Sequence, residues 1–128
     1  MSYKIIYTNK SGYLHVHISG PESFEAALHF WKELAGKAKA EQINRFLIVD
    51  EVSGQLTLLE HHNLSLIIAR DFFGKIIAYI DPKTETFENN KFGEDVVYNR
   101  GVIAKVFRNE AEGIEWLSEF LSGSEKPH

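Results

Sequence analysis

The sequence predicts an α/β fold: a mixed, mostly parallel central sheet of about five strands, opened by an N-terminal hairpin and accompanied by four helices. Three observations carry that reading. Short β-branched and aromatic runs alternate with segments of helical periodicity, a pattern that builds βαβ crossovers and parallel pairing. Two strand-like runs at the start are joined only by Asn9-Lys10-Ser11-Gly12, a polar, glycine-ended connection suited to a hairpin. Residues 46–49 (FLIV) are apolar at every position, as in a strand covered on both faces.

Residues 4–8 (KIIYT) and 13–19 (YLHVHIS) read as the hairpin strands. In the second, Leu14, Val16 and Ile18 alternate with Tyr13, His15 and His17, so one face is buried and the other half wet. Gly20-Pro21 is expected to stop that strand and Ser23 to cap a helix. The helix places Phe24, Ala27, Leu28, Trp31, Leu34, Ala35 and Ala38 at steps of three and four, a single apolar stripe. On its solvated face Glu33 and Lys37 have i,i+4 spacing.

A central strand at 45–50 leads through a Ser53-Gly54 turn to Thr57-x-x-Glu60, the spacing of a capping box. A second helix therefore starts near Leu58 and runs to about Arg70, with Leu59, Leu64, Ile67 and Ile68 turned inward. Gly74 punctuates, and residues 75–80 (KIIAYI) form another buried strand ending at Asp81-Pro82. Residues 86–100 read as a helix diluted by Asn89, Asn90 and Gly93, with Gly101 as the left-handed residue behind it. The last strand is 102–107 (VIAKVF). Asn109-x-x-Glu112 then opens a terminal helix bearing Ile114, Leu117, Phe120 and Leu121. No linker or repeat divides the chain, so 1–121 is expected to be one domain and 122–128 a frayed tail.

Composition removes several function classes. A chain of 128 residues with 44% hydrophobic and 25% charged residues can bury a core without staples. A net charge of −4 argues against a nucleic-acid footprint, which needs clustered Lys and Arg. The absence of Cys removes disulfides, thiolate zinc sites and cysteine nucleophiles. No apolar run is long enough for a signal h-region or a membrane span, so a cytoplasmic setting is expected.

This order of elements resembles the STAS superfamily, specifically its SpoIIAA-like (STAS/SEC14-type) branch, over residues 4–121. The likeness is carried by the opening hairpin, the amphipathic first helix and the strand FLIVD leading into an apolar helix. The strand KIIAYI and the closing VIAKVF-RNEAEGIEWL add to it. The resemblance implies a non-enzymatic cytoplasmic module, regulatory or ligand-binding. Anti-sigma factor antagonists of this superfamily carry an Asp-Ser/Thr-Ser/Thr-Gly phosphorylation motif at the start of the helix after this strand. Here the matching positions, Leu59 to His62, supply no hydroxyl; Ser53-Gly54 lies several residues early and Thr57 is committed to capping. The phospho-switch is therefore not carried over.

The candidate site residues lie around that same loop. Asp50 and Glu51 end a strand at the sheet's carboxyl edge, where α/β folds place ligands; an Asx turn on Asp50 explains them as well. An acidic pair repels phosphate, which counts against a nucleotide. Ser53, Gly54, Thr57 and His61 complete the candidate binding surface. Asp50 and Glu51 with His61 or His62 could form an acid–base pair, but no nucleophile or oxyanion device accompanies them. His15 and His17 share one side of a strand, yet no third or fourth ligand stands at diagnostic spacing, so neither a metal nor a cofactor is predicted. Trp116 and Phe120 widen the apolar face of the last helix beyond one sheet contact, either packing under residues 86–100 or meeting a partner.

Three functions remain open on these residues. The first is a regulatory protein-interaction module, with a homodimer among its forms. The second is a small-ligand or lipid-binding domain, which needs an apolar pocket between helices and sheet. The third is an enzyme built on Asp50, Glu51 and His61 or His62. The first requires no residue that the chain lacks.

Overall fold

The computed structural model describes residues 2–121. Five strands, β1 (Lys4–Lys10), β2 (Tyr13–Pro21), β3 (Arg45–Ser53), β4 (Ile76–Ile80) and β5 (Ile103–Phe107), form one sheet in the order β1-β2-β3-β4-β5. The hairpin pair β1–β2 is antiparallel and every later pair is parallel, the mixed sheet that the sequence predicts. Four helices complete the described residues: α1 (Phe24–Glu41), α2 (Leu58–Asp71), α3 (Thr84–Tyr98) and α4 (Glu110–Leu121). The expected frayed tail falls outside the described residues.

Strand order explains where the helices go. Each crossover moves one strand further in the same direction, and right-handed crossovers then place α1, α2 and α3 on a single face. The large core forms there, from Leu14, Val16, Ile18, Phe46, Ile48 and Ile77 of the sheet against Phe30, Trp31, Leu34, Leu64 and Phe72 of the helices. Only α4, which follows the last strand, lies on the opposite face, over Leu47, Val49, Ala78 and Ile80. It sits close: a Cβ on Gly113 would come within 2.6 Å of Ile80 Cδ1.

Helix starts follow the expected caps. Ser23 Oγ accepts the Ala26 N–H at 3.0 Å, and Thr57 and Glu60 form the reciprocal capping box. Several local expectations change. β2 runs on through Gly20 and Pro21 because Gly20 supplies a φ of 115° and both residues pair with β3. β3 likewise continues to Ser53. Leu59, expected inside, is 69% exposed, since the capping turn aims it outward and Leu64, Ser65 and Ala69 form the inner face instead. The α1 surface pair is Lys37–Glu41 at 2.8 Å rather than Glu33–Lys37, because Glu33 accepts the Tyr7 hydroxyl at 2.8 Å.

Candidate functional site

The strands β2, β3 and β4 run in parallel, so their carboxyl ends share one edge of the sheet. Strand order never reverses, so the crevice of a doubly wound sheet is absent. A cleft opens instead between the sheet face and the starts of α1, α2 and α3. Its walls are apolar, with Ile18, Trp31, Leu64, Ile68, Ile77 and Val97 among them, and its floor is charged. It holds about 90 Å³ open to the centres of water-sized molecules, room for several waters or one small solute.

The floor is a buried ion cluster. Asp50 is 7% exposed and Asp81 is fully buried. Lys83, in the loop between β4 and α3, donates to both: to Asp50 O at 2.7 Å, Asp50 Oδ1 at 3.1 Å and Asp81 Oδ1 at 2.9 Å. The Tyr79 hydroxyl donates to Asp50 Oδ2 at 2.7 Å, and the Val52 N–H to Asp50 Oδ1 at 3.0 Å. That last bond is the Asx arrangement expected at Asp50. Asp81 accepts from Thr86 Oγ1 at 2.7 Å, from Asn90 Nδ2 at 2.6 Å and from the backbone Lys83 N–H, two residues on, at 3.0 Å. Beside this cluster the Tyr3 hydroxyl donates to Glu22.

Protonation follows from these contacts. Burial works against the Asp81 carboxylate, but hydrogen bonds from Thr86, Lys83 and Asn90 outweigh it and hold the carboxyl below its usual range. Burial also works against the Lys83 ammonium, and the charges of Asp50 and Asp81 more than compensate, so Lys83 is raised. The Tyr79 phenol is driven far up by burial and by Asp50. Glu22 is raised, first by burial and then by Asp50, although its bond from Tyr3 pulls the other way.

The residues singled out from sequence are divided by this geometry. Asp50, Gly54 and His61 line the cleft. Glu51 does not: because β3 continues past it, strand alternation turns it to the other face, where it meets His17 Nε2 at 3.0 Å. The expected acidic pair is thus one buried and one exposed carboxylate on opposite sides of the sheet. Ser53 is exposed and Thr57 is occupied as the α2 cap. His61 Nε2 meets Asn90 Oδ1 at 3.1 Å, while Asp50 bonds Lys83 and Tyr79, so Asp50 and His61 share a cleft without forming a dyad. His62 is half-buried outside the cleft lining.

On the far face, His15 Nε2 meets Glu110 Oε1 at 3.0 Å. Among the described residues no three His, Asp or Glu side chains gather closely enough to hold a metal ion. Phe120 is 5% exposed and packs edge-on against Trp116, whose ring in turn meets Phe107. That placement corrects the expectation that the pair packs under residues 86–100. The two rings lie across the sheet from residues 86–100, and Phe120 is covered by its own chain.

Sequence reading passed over Tyr3, Glu22, Tyr79, Asp81, Lys83, Thr86 and Asn90. Asp81 reads there as a strand end. A usable signal was present: Asp81 just before a helix, with Thr86 and Asn90 spaced i,i+4 on one helix face.

Fold and site together define a small α/β protein with an apolar-walled, charge-floored cleft at the carboxyl edge of its sheet. No protein-family model matches the chain, and no curated protein matches it.

Proposed function

We propose that this chain is a non-enzymatic, cytoplasmic STAS-like module that binds a small ligand in the cleft above Asp50 and Lys83. The observation that carries the reading is the cleft itself. Apolar side chains stand over a floor of buried charges, whose desolvation is costly unless each is paired. The pairing within the floor supports the non-enzymatic part: Lys83 is bonded to Asp50 and Asp81, and His61 to Asn90. The order of elements supports STAS-like kinship.

The test follows ¹⁵N–¹H spectra during titration with a pool of small organic fragments. Ligand binding shifts the Gly54, Gly93 and Trp31 signals, and Ala104→Phe, which fills the cleft from β5, abolishes those shifts. Shifts confined to other surfaces, or unchanged in Ala104→Phe, would sink the proposal.

A second reading, a protein-interaction module, is favoured by Leu58 and Leu59. They stand side by side at the start of α2, 66% and 69% exposed. Its signature is a self-association in sedimentation runs that Leu58→Ser/Leu59→Ser removes.

A further inference from the structure

We infer that the cleft takes a small protonated amine with an apolar body. This rests on the reading of the cleft as a ligand site and assigns the chemistry of what it holds.

What the cleft offers an incoming molecule is strongly biased. Every hydroxyl and ammonium donor among its lining residues is already committed. Lys83 directs all three protons at Asp50 and Asp81. Tyr79 donates to Asp50, Thr86 to Asp81, Tyr3 to Glu22, and Ser65 to the His61 carbonyl at 3.0 Å. The side-chain amides of Gln55 and Asn89 both donate and accept, so they do not select.

Besides the Trp31 indole N–H and the side-chain amides, the groups left open are acceptors. Asp81 Oδ2 accepts from Asn90, which fixes the amide with Nδ2 toward Asp81 and Oδ1 toward His61. His61 Nε2 must then carry the proton. A neutral His61 therefore holds its lone pair on Nδ1, a buried atom without a partner among the described residues. Glu22 Oε1 accepts both Tyr3 and the Ser23 N–H, while Glu22 Oε2 accepts from no described residue. A ligand rich in donors answers both atoms.

Charge and shape agree with this. Glu22 and Asp50 line the cleft beside the ammonium of Lys83, which the fully buried Asp81 meets from beneath; Glu94, also in the lining, is met by Lys91 at 3.1 Å. The rings of Tyr3, Trp31 and Tyr79 line the same space, and aromatic faces attract cations. The starts of α1, α2 and α3 point their positive ends here, which by itself favours an anion. Internal acceptors meet that pull: Ser23 holds the Ala26 N–H, Thr57 the Glu60 N–H and Asp81 the Lys83 N–H. Full carboxylate charges also outweigh the half charge of a helix end. Apolar walls then select the remainder of the ligand.

The experiment titrates the full chain at pH 7 with three six-carbon probes, hexylamine, hexanol and hexanoate, read by calorimetry and ¹⁵N–¹H shifts. The expected result is one hexylamine per chain, bound about tenfold or more tighter than hexanol, with hexanoate weakest. Glu22→Gln should reduce that preference about tenfold and leave hexanol unchanged. His61→Leu, which removes the other open acceptor, repeats the comparison independently, and thermal melts establish that each variant is folded. Hexanol or hexanoate binding as tightly as hexylamine overturns the amine assignment and leaves the ligand cleft standing. Unaltered hexylamine binding in both variants overturns the assignment as well. If none of the three probes shifts the cleft signals, the amine and the ligand-site reading fall together.

Discussion

Lys83 grips Asp50 at two points, the backbone carbonyl at 2.7 Å and the carboxylate at 3.1 Å. One side chain from the loop after β4 thereby ties down the far end of β3. Its third bond, to Asp81, anchors the start of α3 to the same spot. Two crossovers meet at this ammonium.

Replacing it should be severe. Lys83→Met leaves two carboxylates in a desolvated floor with no cation, a loss of about 3 kcal/mol in urea denaturation. Adding Asp50→Asn to that variant should recover part of the loss. A change within about 1 kcal/mol, the range of an exposed pair, would mean that solvent screens these charges.

Acid should unfold the protein partly through Asp81. Its folded carboxyl lies below the ordinary value, so the stability it contributes is fully present above an unfolded pKa of about 3.9. That stability disappears as pH falls through the lower, folded value. Asp81→Asn should therefore flatten the acid limb of stability against pH, as chemical denaturation from pH 6 to pH 2 will show. An acid limb as steep as wild type's would assign the effect to other carboxyls.

Glu22 has the opposite sign. Its folded carboxyl is raised, so charging it weakens the fold as pH climbs past the unfolded value near ~4.3. Glu22→Gln keeps an acceptor for Tyr3 and loses that penalty. Its melting midpoint should exceed wild type at pH 7 and match it at pH 3. Equal midpoints at both would show that Glu22 is solvated when folded.

Two apolar residues of similar size should respond very differently. Ile48 is fully buried in β3, and Ile48→Ala should cost roughly 2–5 kcal/mol. Leu59 stands in solvent, and Leu59→Ala should stay within about 0.5 kcal/mol. Thermal melts of the pair check the sheet core and the α2 orientation at once.

Gly101 closes α3 with a φ of 103°, and a Cβ there would run into the Phe73 ring. Phe73 is 71% exposed and free to swing aside, so the backbone conformation sets the cost. Gly101→Ala should lose about 1–3 kcal/mol, and adding Phe73→Ala should restore little of it. Full recovery in the double variant would make the ring, not the backbone, the obstacle.

Most of the architecture was legible because each element carries its own local instruction. The alternation in 13–19, the unbroken apolar run at 46–49 and the Thr57–Glu60 box each fix their element without help from the rest of the chain. The cleft was only partly legible. Asp50, Gly54 and His61 stand out by their place after a strand, whereas Glu22, Tyr79 and Lys83 come from separate segments that meet only in the folded sheet. The separation of Glu51 from Asp50 has a single cause. Whether β3 stops at residue 50 or at residue 53 decides which face each carboxylate takes, and strand ends are weakly encoded.

The strand order β1 to β5 has a consequence for how the molecule is made. No later strand is inserted between two earlier ones, so each new β-α unit docks onto an edge that already exists. A ribosome can lay this sheet down in the order it is synthesised, with no need to reopen earlier pairings. The lysine that locks the floor arrives only after β4, together with Asp81, so Asp50 acquires its counter-ion late in that growth, once the edge that carries it has been added.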